Sequence, residues 1–567
     1  MTKWLLPSFA IPDYAGVTAL QASILFQNGI KPEEAEIFLR SSVQDLLDPG
    51  LLKDAKKAAF LIKAAIEQSI PITIYGDYDA DGITGTALLV EGLRKLGATV
   101  DWYINSRFVG GFGMQVQGVE EIAARGTPRL IVTVDNGIAA IDGVKRAQEL
   151  GMDVIITDHH EPDKTIPPAS AVVNPKQPDC PYPFKELAGV GVAFKVLQIL
   201  FDEVQRPREL LRSLDLVALG TVADVMPLRG ENRIFVKNGL KLLNWGEKTR
   251  LGFRAIKDVT SLQGDINGHY HLGFIFGPMI NAKGRLEGVP FEAVELLLTS
   301  DSTKAYEWAG TLKRINQLRQ QMTESQTEMA KTLVKKEEGF HVLYDKSFHE
   351  GIVGLIASRL KERFYKPVLV LTDSTEEGIV KGSARTVKGF SLKKYLVDGC
   401  ADLLVKGGGH DMAAGCSLRK EDIASLRERL RGFIQGVDVT LFEPSVDVTA
   451  LVRPEDISVS LIEEVEALAP YGVGFSRPQL LLMPYVPQQV FFIGAEQKHL
   501  KLRGPHFEVI AFHQAEKYRQ MVDKEPLALL GLPEINSFNG SLQFKVRDQG
   551  LRRYRDFEKQ SVIGTSL

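Results

Sequence analysis

Short apolar runs alternate with amphipathic segments over much of the first half of the chain. The run ITIY precedes TALLVEGLRKLG, RLIVTV precedes AAIDGVKRAQELG, and DVIIT precedes a proline-rich loop at 161–183. Strand-length runs that alternate with segments of helical periodicity are typical of βαβ units, in which helices cover a parallel sheet. The pattern therefore predicts an α/β fold from Pro71 onward.

The segments on either side have other periodicities. Residues 18–69 carry apolar residues at helical spacing. From Pro290 to about Lys336, a long polar stretch predicts one helix that links two domains. An α/β pattern then restarts and continues to about Val437. The remainder is mostly β with turn signals, as in a small barrel.

These changes divide the chain into four predicted parts. Residues 1–288 form an α/β domain with a helical N-terminal extension, and 289–337 form the linker helix. Residues 338–437 form a smaller α/β domain, and 438–567 form an all-β barrel. A chain of 567 residues is too long for a single core, so several domains are expected.

Composition excludes some classes of protein. No apolar run approaches the roughly 20 residues of a membrane span, and the N-terminus lacks the pattern of a signal peptide. The three cysteines have neither zinc-type nor redox spacing, so we expect free thiols in a reducing compartment such as the cytoplasm. The net charge of −3 argues against a protein that coats DNA, so any nucleic-acid site must concentrate positive charge locally.

Three aspartates, Asp77, Asp79 and Asp81, follow the first predicted strand in the motif GDYDADG. The same spacing opens an EF-hand loop, but an EF-hand needs a preceding helix and a bidentate Glu at the twelfth position. That position is Leu88, and the preceding segment is strand-like, so an EF-hand is excluded. For the triplet alone, a solvated acidic turn and a cation site both remain open.

Further Asp and His residues follow other apolar runs. Asp135 ends a second predicted strand, Asp158, His159 and His160 end a third, and Asp224 closes a fourth apolar run. In an open α/β sheet, ligands bind at the carboxyl ends of the strands, so we expect these residues to converge. Clustered carboxylates need a cation or raised pKa values. Carboxylates mixed with imidazole favour Mn²⁺ or Mg²⁺ over zinc, and their number predicts two ions about 3.5–4 Å apart.

Several motifs then carry a resemblance to a known family. GDYDADG, TVDNG, TDHH and GTVADVMPL, in this order, resemble the four motifs of the DHH phosphoesterase superfamily. KGGGHDMAAG (406–415) resembles the DHH-associated domain, and LAPYGVGFSRP (468–478) resembles the C-terminal oligonucleotide-binding (OB) region of bacterial single-strand-specific exonucleases in this superfamily. The resemblance implies that residues 1–288 contain the catalytic DHH domain and that the barrel at 438–567 is an OB fold. The resemblance implies a single-stranded-DNA-specific 5′-to-3′ exonuclease that releases 5′-mononucleotides by a two-metal mechanism in DNA repair and recombination.

The resemblance also implies roles for individual residues. The implied metal ligands are Asp79, Asp81, Asp135, His159 and Asp224. Asp135 would bridge two divalent ions, Mn²⁺ or Mg²⁺, and Asp77 would be a ligand or an outer-shell orienter. His160 would stabilise charge on the phosphate or the leaving oxygen, or else orient the loop by a hydrogen bond.

A second set of residues would handle phosphate and DNA, namely Arg107, Asn281, Arg285, Ser383, Arg385, Gly408 and His410. Arginine suits this task because its planar group grips phosphate oxygens bidentately. The glycine-rich KGGGHDMAAG would form an anion-binding nest or, alternatively, a structural turn. The family usually has Arg where this chain has Met279, and Asn where it has Phe475, so we expect one phosphate contact to be weakened.

Two other functions stay open at this stage. One is a DHH phosphodiesterase that acts on short oligonucleotides or cyclic dinucleotides, and the other is a catalytically inactive replication scaffold. Retention of every implied metal ligand argues against the scaffold. The resemblance further suggests a monomer whose partners are single-stranded DNA, single-strand-binding protein and a RecQ-type helicase, with no membrane.

Overall fold

The N-terminal extension contains one short strand and three helices. The structure is a computed structural model that describes residues 2–7, 10–106, 108, 113–335, 337–521, 525–536 and 539–556. The first elements are β1 (Lys3–Leu5), α1 (Ala19–Gln27), α2 (Pro32–Arg40) and α3 (Ala55–Glu67). Helix α1 begins with a capping box, in which Thr18 and Gln21 each accept a hydrogen bond from the other's backbone N–H. These helices lie where the helical periodicity predicts them.

A parallel five-stranded sheet, the central sheet, follows. Its strands and their helices are β2 (Ile72–Gly76), α4 (Ala80–Lys95), β3 (Val100–Ile104), α5 (Val116–Ala123), β4 (Arg129–Val134), α6 (Ile141–Glu149), β5 (Met152–Thr157) and β6 (Ala171–Val173). The spatial order is β3-β2-β4-β5-β6. Gly76 pairs with Val134, and Val134 pairs with Thr157, so three strands end at one level. This confirms the predicted α/β fold, and it brings the residues after these strands to one edge.

A helical layer closes one face of the central sheet and then leads away from it. It comprises α7 (Gly189–Glu203), α8 (Pro207–Leu210), α9 (Leu214–Ala223), α10 (Gly230–Leu243), α11 (Leu251–Val259), α12 (Gly268–His271), α13 (Gly277–Leu286), α14 (Phe291–Leu298) and α15 (Ser302–Thr332). A π-helical segment, Leu272–Phe276, joins α12 to α13. Buried residues of α4, α7 and α9 form the main core against β2 and β4.

The apolar run before Asp224 is a helix, which corrects the prediction of a fourth strand end. Helix α9 has the sequence LDLVALGTVA, and its residues from Leu214 to Val222 are all buried. A helix that is apolar on every side belongs in a core, and a short apolar run does not distinguish it from a buried strand. Asp224 therefore reaches the sheet edge from the C-terminal end of a helix.

The linker range contains two helices rather than one. Helix α14 ends at Leu298, and α15 begins at Ser302 because the side chain of Asp301 accepts hydrogen bonds from the backbone N–H groups of Thr303 and Lys304. With 31 residues, α15 is about 46 Å long and makes the long connection that the polar stretch predicts.

A second, mixed sheet follows α15. Its elements are β7 (His341–Tyr344), α16 (Val353–Phe364), β8 (Val368–Asp373), β9 (Ile379–Arg385), β10 (Leu404–Gly409), β11 (Ala413–Arg419) and α17 (Ile423–Gln435). The order is β10-β11-β9-β8-β7, and only β7 and β8 run parallel within it. This sheet has cores of its own, so it forms a separate α/β unit.

The C-terminal β domain contains a seven-stranded mixed sheet and one short strand, Ser445–Asp447, which lies outside that sheet. Its elements are β12 (Ser445–Asp447), β13 (Ala450–Val452), α18 (Val459–Glu466), β14 (Leu480–Tyr485), β15 (Gln489–Ile493), β16 (His499–Arg503), β17 (Glu508–Ala511), α19 (Ala515–Arg519), β18 (Leu527–Ile535) and β19 (Leu542–Arg553). The order is β13-β14-β18-β19-β17-β16-β15. Strand β1 pairs in parallel with β12, and Arg552 donates a hydrogen bond to the carbonyl of Thr2, so the N-terminal segment is attached to this domain.

A buried arginine joins three parts of the chain. The guanidinium of Arg233, on α10, donates hydrogen bonds to the carbonyls of Phe38, Leu468, Ala469 and Pro470 at 2.7–3.2 Å. It also lies 3.9 Å from the ring centroid of Phe38 and 5.0 Å from that of Phe475. We call these residues the Arg233 junction. They fix the C-terminal β domain and the N-terminal extension to the helical layer of the central sheet.

Candidate metal centre

The structure brings the predicted acidic residues together at the carboxyl edge of the central sheet. Asp77 follows β2, Asp79 caps α4, and Asp81 lies in its first turn. Asp135 follows β4, and the Asp158–His160 segment follows β5. Asp224 joins them from the end of α9. We call these eight residues, with Asp158, His159 and His160 counted singly, the carboxylate–histidine cluster.

The two histidines lie within about 4 Å of several carboxylates in the cluster. The Nε2 atom of His159 lies 3.1 Å from Asp135 Oδ1, 3.5 Å from Asp224 Oδ2 and 3.8 Å from Asp81 Oδ2. The Nδ1 atom of His160 is 3.9 Å from Asp135 Oδ1. One imidazole nitrogen thus faces three separate carboxylates, an arrangement that a single proton cannot satisfy.

Three overlapping groups have ligand atoms that all lie within 4.8 Å of one another. They are Asp81–His159–Asp224, Asp77–Asp79–Asp135 and Asp135–His159–His160. Asp79 and Asp81 belong to different groups, and Asp135 belongs to two of them. The three groups are linked through Asp135 and His159, each of which belongs to two of them, and Asp77 lies with Asp79 and Asp135 in one.

Backbone amides hold two of the carboxylates in place. Asp81 accepts hydrogen bonds from the N–H groups of Gly189 at 2.6 Å and Val190 at 2.9 Å, at the start of α7. A helix N-terminus favours an anionic group there. Glycine is needed at 189 because a Cβ atom would lie 2.6 Å from Asp135 Cβ. Asp79 accepts from the N–H groups of Asp81 and Gly82 at 2.9 and 3.2 Å.

Asp158, which the sequence predicts to converge on the site, and Asn174, which it does not indicate, both orient the histidines. Asp158 Oδ1 lies 2.8 Å from His160 Nδ1 and accepts the backbone N–H of His159 at 2.7 Å. Asn174, which follows β6, donates a hydrogen bond to the carbonyl of His160 at 2.8 Å. The short run Ala171–Val173 was the available signal, because it places Asn174 at one more strand end.

Burial and charge shift the acid strengths in the cluster. Burial, with Asp79 nearby, raises the pKa of Asp81 to about 7. Burial and neighbouring carboxylates also raise the pKa values of Asp135 and Asp224 well above their ordinary range. Burial and the adjacent His160 lower the pKa of His159 to about 3, which keeps this imidazole neutral and able to act as a ligand.

The residues fit a divalent cation by an independent criterion. Asp135 Oδ1, Asp224 Oδ2 and His159 Nε2 are buried and have no hydrogen-bond partner. Buried polar atoms are almost always satisfied, so three orphaned acceptors that face one another indicate a missing positive group. Carboxylate oxygens with one or two imidazoles suit Mn²⁺ or Mg²⁺ better than zinc. A solvated acidic turn does not leave its acceptors buried, so we set that interpretation aside.

A second polar pocket lies on the neighbouring α/β unit. Arg385 Nη1 donates hydrogen bonds to Ser383 Oγ at 2.7 Å and to the carbonyl of Ala384 at 2.8 Å. Gly354, in the first turn of α16, lies against both, because a Cβ there would be 3.1 Å from Arg385 Nη2 and 3.2 Å from Ser383 Oγ. A guanidinium, a hydroxyl and a helix N-terminus together suit an anion. Of the predicted phosphate residues, Arg107 lies outside the described residues.

Two further predicted residues lie between this pocket and the cluster. Arg285 Nη1 is 3.5 Å from the carbonyl of Gly351, just before α16. Asn281 lies one turn earlier on α13, and its Oδ1 is buried without a hydrogen-bond partner. Helix α13 also contacts the loop that carries Asp77 and Asp79, because a Cβ atom at Gly284 would lie 2.6 Å from the carbonyl oxygen of Tyr78. Both residues therefore lie on the helix that connects the two sites.

The glycine-rich segment with Gly408 and His410 is a strand and a tight turn. Gly408 pairs with Gly415, and the N–H of His410 donates to the carbonyl of Ala413 at 2.8 Å. An extended edge strand does not form the curved nest of amides that the glycines suggest. Both residues are exposed, and no hydrogen bond or ion pair among the described residues joins them to the cluster.

The two departures from the family pattern are both buried. Met279 is 1% exposed and packs in the main core, so it does not face a substrate. Phe475 is fully buried and stacks on Tyr471 at the Arg233 junction. An expected loss of a phosphate contact at 279 therefore has no support in the geometry, since an apolar side chain suits this position.

Three family descriptions match separate parts of this chain. The DHH family N-terminal domain matches residues 71–221, the DHHA1 domain matches 337–436, and the RecJ OB domain matches 448–548. Among the described residues, no helix combines the length and the apolar character needed to cross a bilayer.

Similar proteins span nearly the whole chain. The single-stranded-DNA-specific exonuclease RecJ of Bacillus subtilis (strain 168) is 40% identical over 97% of this chain and 70% of that protein. The crystal structure of RecJ from Thermus thermophilus in complex with Mn²⁺ matches with a TM-score of 0.82 at 30% identity, over 97% of this chain and 80% of that one. The complex with Mg²⁺ matches with a TM-score of 0.76 at 28% identity, over 97% and 78% of the two chains.

Proposed function

This chain belongs to the RecJ family of single-stranded-DNA-specific exonucleases, and we propose that it degrades single-stranded DNA from the 5′ end to 5′-mononucleotides in DNA repair and recombination. The enzyme is a metal-dependent phosphodiester hydrolase. The observation that carries the proposal is the carboxylate–histidine cluster, where three groups of ligand atoms are linked through Asp135 and His159. A sheet edge with this much buried, unpaired negative charge fits divalent ions and the phosphates that accompany them.

We assign the metal ligands by their place in the cluster. Asp81, His159 and Asp224 would hold one ion and Asp79 the other, with Asp135 shared and Asp77 in a supporting place beside Asp79. When bound, Mn²⁺ or Mg²⁺ lowers the pKa of water and neutralises charge on the phosphate. The protein's own task is to keep the oxygens fixed, and the amides at the start of α7 do so for Asp81.

His160 has the position of a proton donor to the substrate. Its side chain is 39% exposed, in contrast to the buried His159, so a substrate can reach it. Burial works against its charged form, but the hydrogen bond with Asp158 raises the pKa of His160. Because Asp158 occupies Nδ1, the Nε2–H is the group that would donate to a phosphate or leaving oxygen.

The polarity of cleavage follows from the pocket of Ser383 and Arg385. This pocket would hold a 5′-terminal phosphate while the next linkage lies at the cluster. Arg285 and Asn281, on the connecting helix, would contact the strand between the two sites. Arg385 is partly buried, and it is not ion-paired within the described residues, which fits a site kept for an anionic ligand.

The decisive assay uses end-labelled single strands with and without a 5′-phosphate, a duplex and a dinucleotide, each with Mn²⁺, Mg²⁺ or EDTA. We expect mononucleotide release from the 5′ end of single strands only, and no release in EDTA. Equal cleavage from both ends would contradict the polarity. Faster hydrolysis of the dinucleotide than of long strands would instead indicate a phosphodiesterase for short oligonucleotides.

We also propose a cytoplasmic monomer that works with single-strand-binding protein and a RecQ-type helicase. These proposals are supported by the family and by three free, buried cysteines, which suit a reducing compartment. Light scattering of the purified protein tests the monomer, and co-purification with each candidate tests the partners. A stable dimer at working concentration, or no binding to either partner, would overturn the corresponding proposal.

A further inference from the structure

Two large aromatic side chains are exposed together on one helical turn. Tyr270 is 61% exposed and Phe274 is 59% exposed, and their rings stack with centroids 5.7 Å apart and planes at 28°. They occupy positions i and i+4 at the junction of α12 with the π-helical segment. We call this pair the aromatic ledge. Exposed apolar surface of this size commonly marks a binding site.

The ledge borders a large groove between the catalytic unit and the C-terminal β domain. The groove has a volume of about 1040 Å³, and Tyr270 and His269 line it on one side. Glu534 and Lys545 line it on the opposite side, from strands β18 and β19. Residues 469–474, 476 and 477 also line the groove, and two of them, Ala469 and Pro470, belong to the Arg233 junction.

One continuous helical stretch connects the ledge with the metal cluster. Between the two aromatic residues, Gly273 packs against α9, because a Cβ there would lie 3.7 Å from Val222 Cγ1. Val222 precedes the predicted ligand Asp224 by two residues. Four residues beyond Gly273, Gly277 lies against Ala223 in the same way, at 3.1 Å. The ledge is therefore next to the helix end that delivers Asp224.

The same stretch continues to the 5′-phosphate pocket at its other end. From Gly268 to Leu286 it is about 27 Å long, and it passes Tyr78 at Gly284 and reaches Gly351 at Arg285. The cluster thus lies between the pocket at one end and the ledge at the other. A strand whose 5′ end is in the pocket would leave the cluster in the direction of the ledge.

The charges in the groove favour contact with bases rather than phosphates. Arg477 forms an ion pair with Glu466, and Lys545 lies 3.8 Å from Glu534. Arg477 and Lys545 are therefore already paired with carboxylates, which weakens their electrostatic attraction for a phosphate. Aromatic rings, in contrast, stack with any base at roughly 1–3 kcal/mol per base, whatever the sequence.

We propose that the aromatic ledge stacks bases of the single strand on the 3′ side of the scissile linkage. The proposal rests on the proposed exonuclease function and adds a binding site outside the metal centre. Such a site adds binding contacts for long strands but none for short oligonucleotides, because a short oligonucleotide ends before it reaches the ledge. The ledge would therefore set the preference of the enzyme for strand length.

The test compares the double variant Tyr270→Ala/Phe274→Ala with its parent, both carrying Asp135→Asn so that cleavage does not interfere. The probes are 5′-phosphorylated single strands from a dinucleotide to about 20 nucleotides. We expect the Kd of the longest strand to rise about tenfold or more, and the Kd of the dinucleotide to stay unchanged. Tyr270→Phe, which keeps the ring, should bind like the parent.

Phe60→Ala is the matched control, because Phe60 is 68% exposed on α3, outside the residues that line the groove. This control should bind strands of every length normally. Equal Kd values for long strands in the parent and the double variant would overturn the proposal. An equal loss for short and long strands would also overturn it, since that result indicates damage to the metal centre.

A second measurement locates the stacked bases. A single abasic site is moved along the strand, one position at a time. In the parent, it should weaken binding at one or two positions on the 3′ side. In the double variant, an abasic site at the same positions should leave the Kd unchanged. An abasic profile that is the same in both proteins would contradict stacking at the ledge. If the parent neither binds nor, with Asp135 restored, cleaves any single strand, the proposed function fails instead.

Discussion

The carboxylate–histidine cluster and the Arg233 junction are both buried and charged, yet they treat charge in opposite ways. In the cluster, Asp135 Oδ1, Asp224 Oδ2 and His159 Nε2 have no hydrogen-bond partner. At the junction, a guanidinium that is 1% exposed donates to four carbonyls and stacks on two rings. Buried charge is costly unless it is satisfied. The junction is satisfied by the fold, and the cluster requires a ligand from outside.

The backbone φ angles also differ between the cluster and the junction. Asp135 has φ 62°, and Val225, which follows Asp224, also has φ 62°. At the junction, the left-handed position is taken by Gly474, which adopts it freely. Among the described residues with positive φ that are not glycine, Val225 is the one with a β-branched side chain. Strain of this kind persists where function requires it.

Replacing Asp135 should have the largest effect and should act on activity and stability in opposite directions. Asp135→Asn removes the shared ligand, so we expect the rate of cleavage with Mn²⁺ to fall about a thousandfold or more. In EDTA the same variant should unfold at a higher temperature, because it removes repulsion among buried carboxylates. Full Mn²⁺-dependent activity would break the comparison, and Asp163→Asn, an exposed carboxylate, is the control.

Arg233→Met should reverse that pattern. Four buried carbonyls lose their donor, so we expect the free energy of unfolding to fall by about 3 kcal/mol or more in urea titrations. Hydrolysis of a dinucleotide should be unchanged, because the junction does not touch the cluster. The exposed Arg206, paired with Glu209, supplies the control Arg206→Met, for which a change below about 1 kcal/mol is expected. Equal losses in both variants would contradict a special role for the junction.

The three aspartates of the first loop should differ among themselves. Asp77→Asn is expected to lower the rate by about 10- to 100-fold, as for a group that supports a metal site. Asp79→Asn and Asp81→Asn should lower it further, because each removes a ligand of a different ion. Rates measured across a Mn²⁺ titration check this. If Asp77→Asn is as inactive as Asp79→Asn, Asp77 is a full ligand.

Stability without metal should depend on pH. Burial raises the pKa of Asp81 to about 7, above the unfolded value of about 4, so the folded protein binds more protons than the unfolded chain between these values. In EDTA the unfolding midpoint should therefore fall as pH rises from about 4 to about 8. Adding Mn²⁺ should raise the midpoint most at the upper end. A midpoint in EDTA that rises over this range would show that the cluster is not repulsive.

The smallest expected effect concerns the backbone beside Asp224. Val225→Gly should stabilise the fold by roughly 1 kcal/mol, because Val225 occupies the left-handed position that ends α9, where glycine is preferred. Gln205 ends α7 with the same pair of hydrogen bonds, so Gln205→Gly is a matched control. If Val225 helps to place Asp224, only Val225→Gly should lose activity. Equal activity in both variants would show that the backbone strain at Val225 does not help to place Asp224.

Local patterns were sufficient to predict the sheet edge but not the contacts between distant segments. The apolar runs ITIY, RLIVTV and DVIIT are strands β2, β4 and β5, and the acidic residues after them meet as the parallel geometry requires. The run before Asp224 is a helix, because periodicity cannot separate a short buried strand from a buried helix. No local pattern around Arg233 predicts its carbonyl partners, because Phe38 is 195 residues away in the sequence and Pro470 is 237 residues away.

The pairing of β1 with β12 affects how the protein is made. Strand β1 leaves the ribosome early, but its partner Ser445–Asp447 and the anchoring Arg552 are synthesised several hundred residues later. Domains generally fold in the order of synthesis, so the central sheet can form while β1 still lacks a partner. The N-terminal segment therefore becomes attached only after the C-terminal β domain has been synthesised. A chain released before residue 445 would contain the whole metal centre and still leave β1 unpaired.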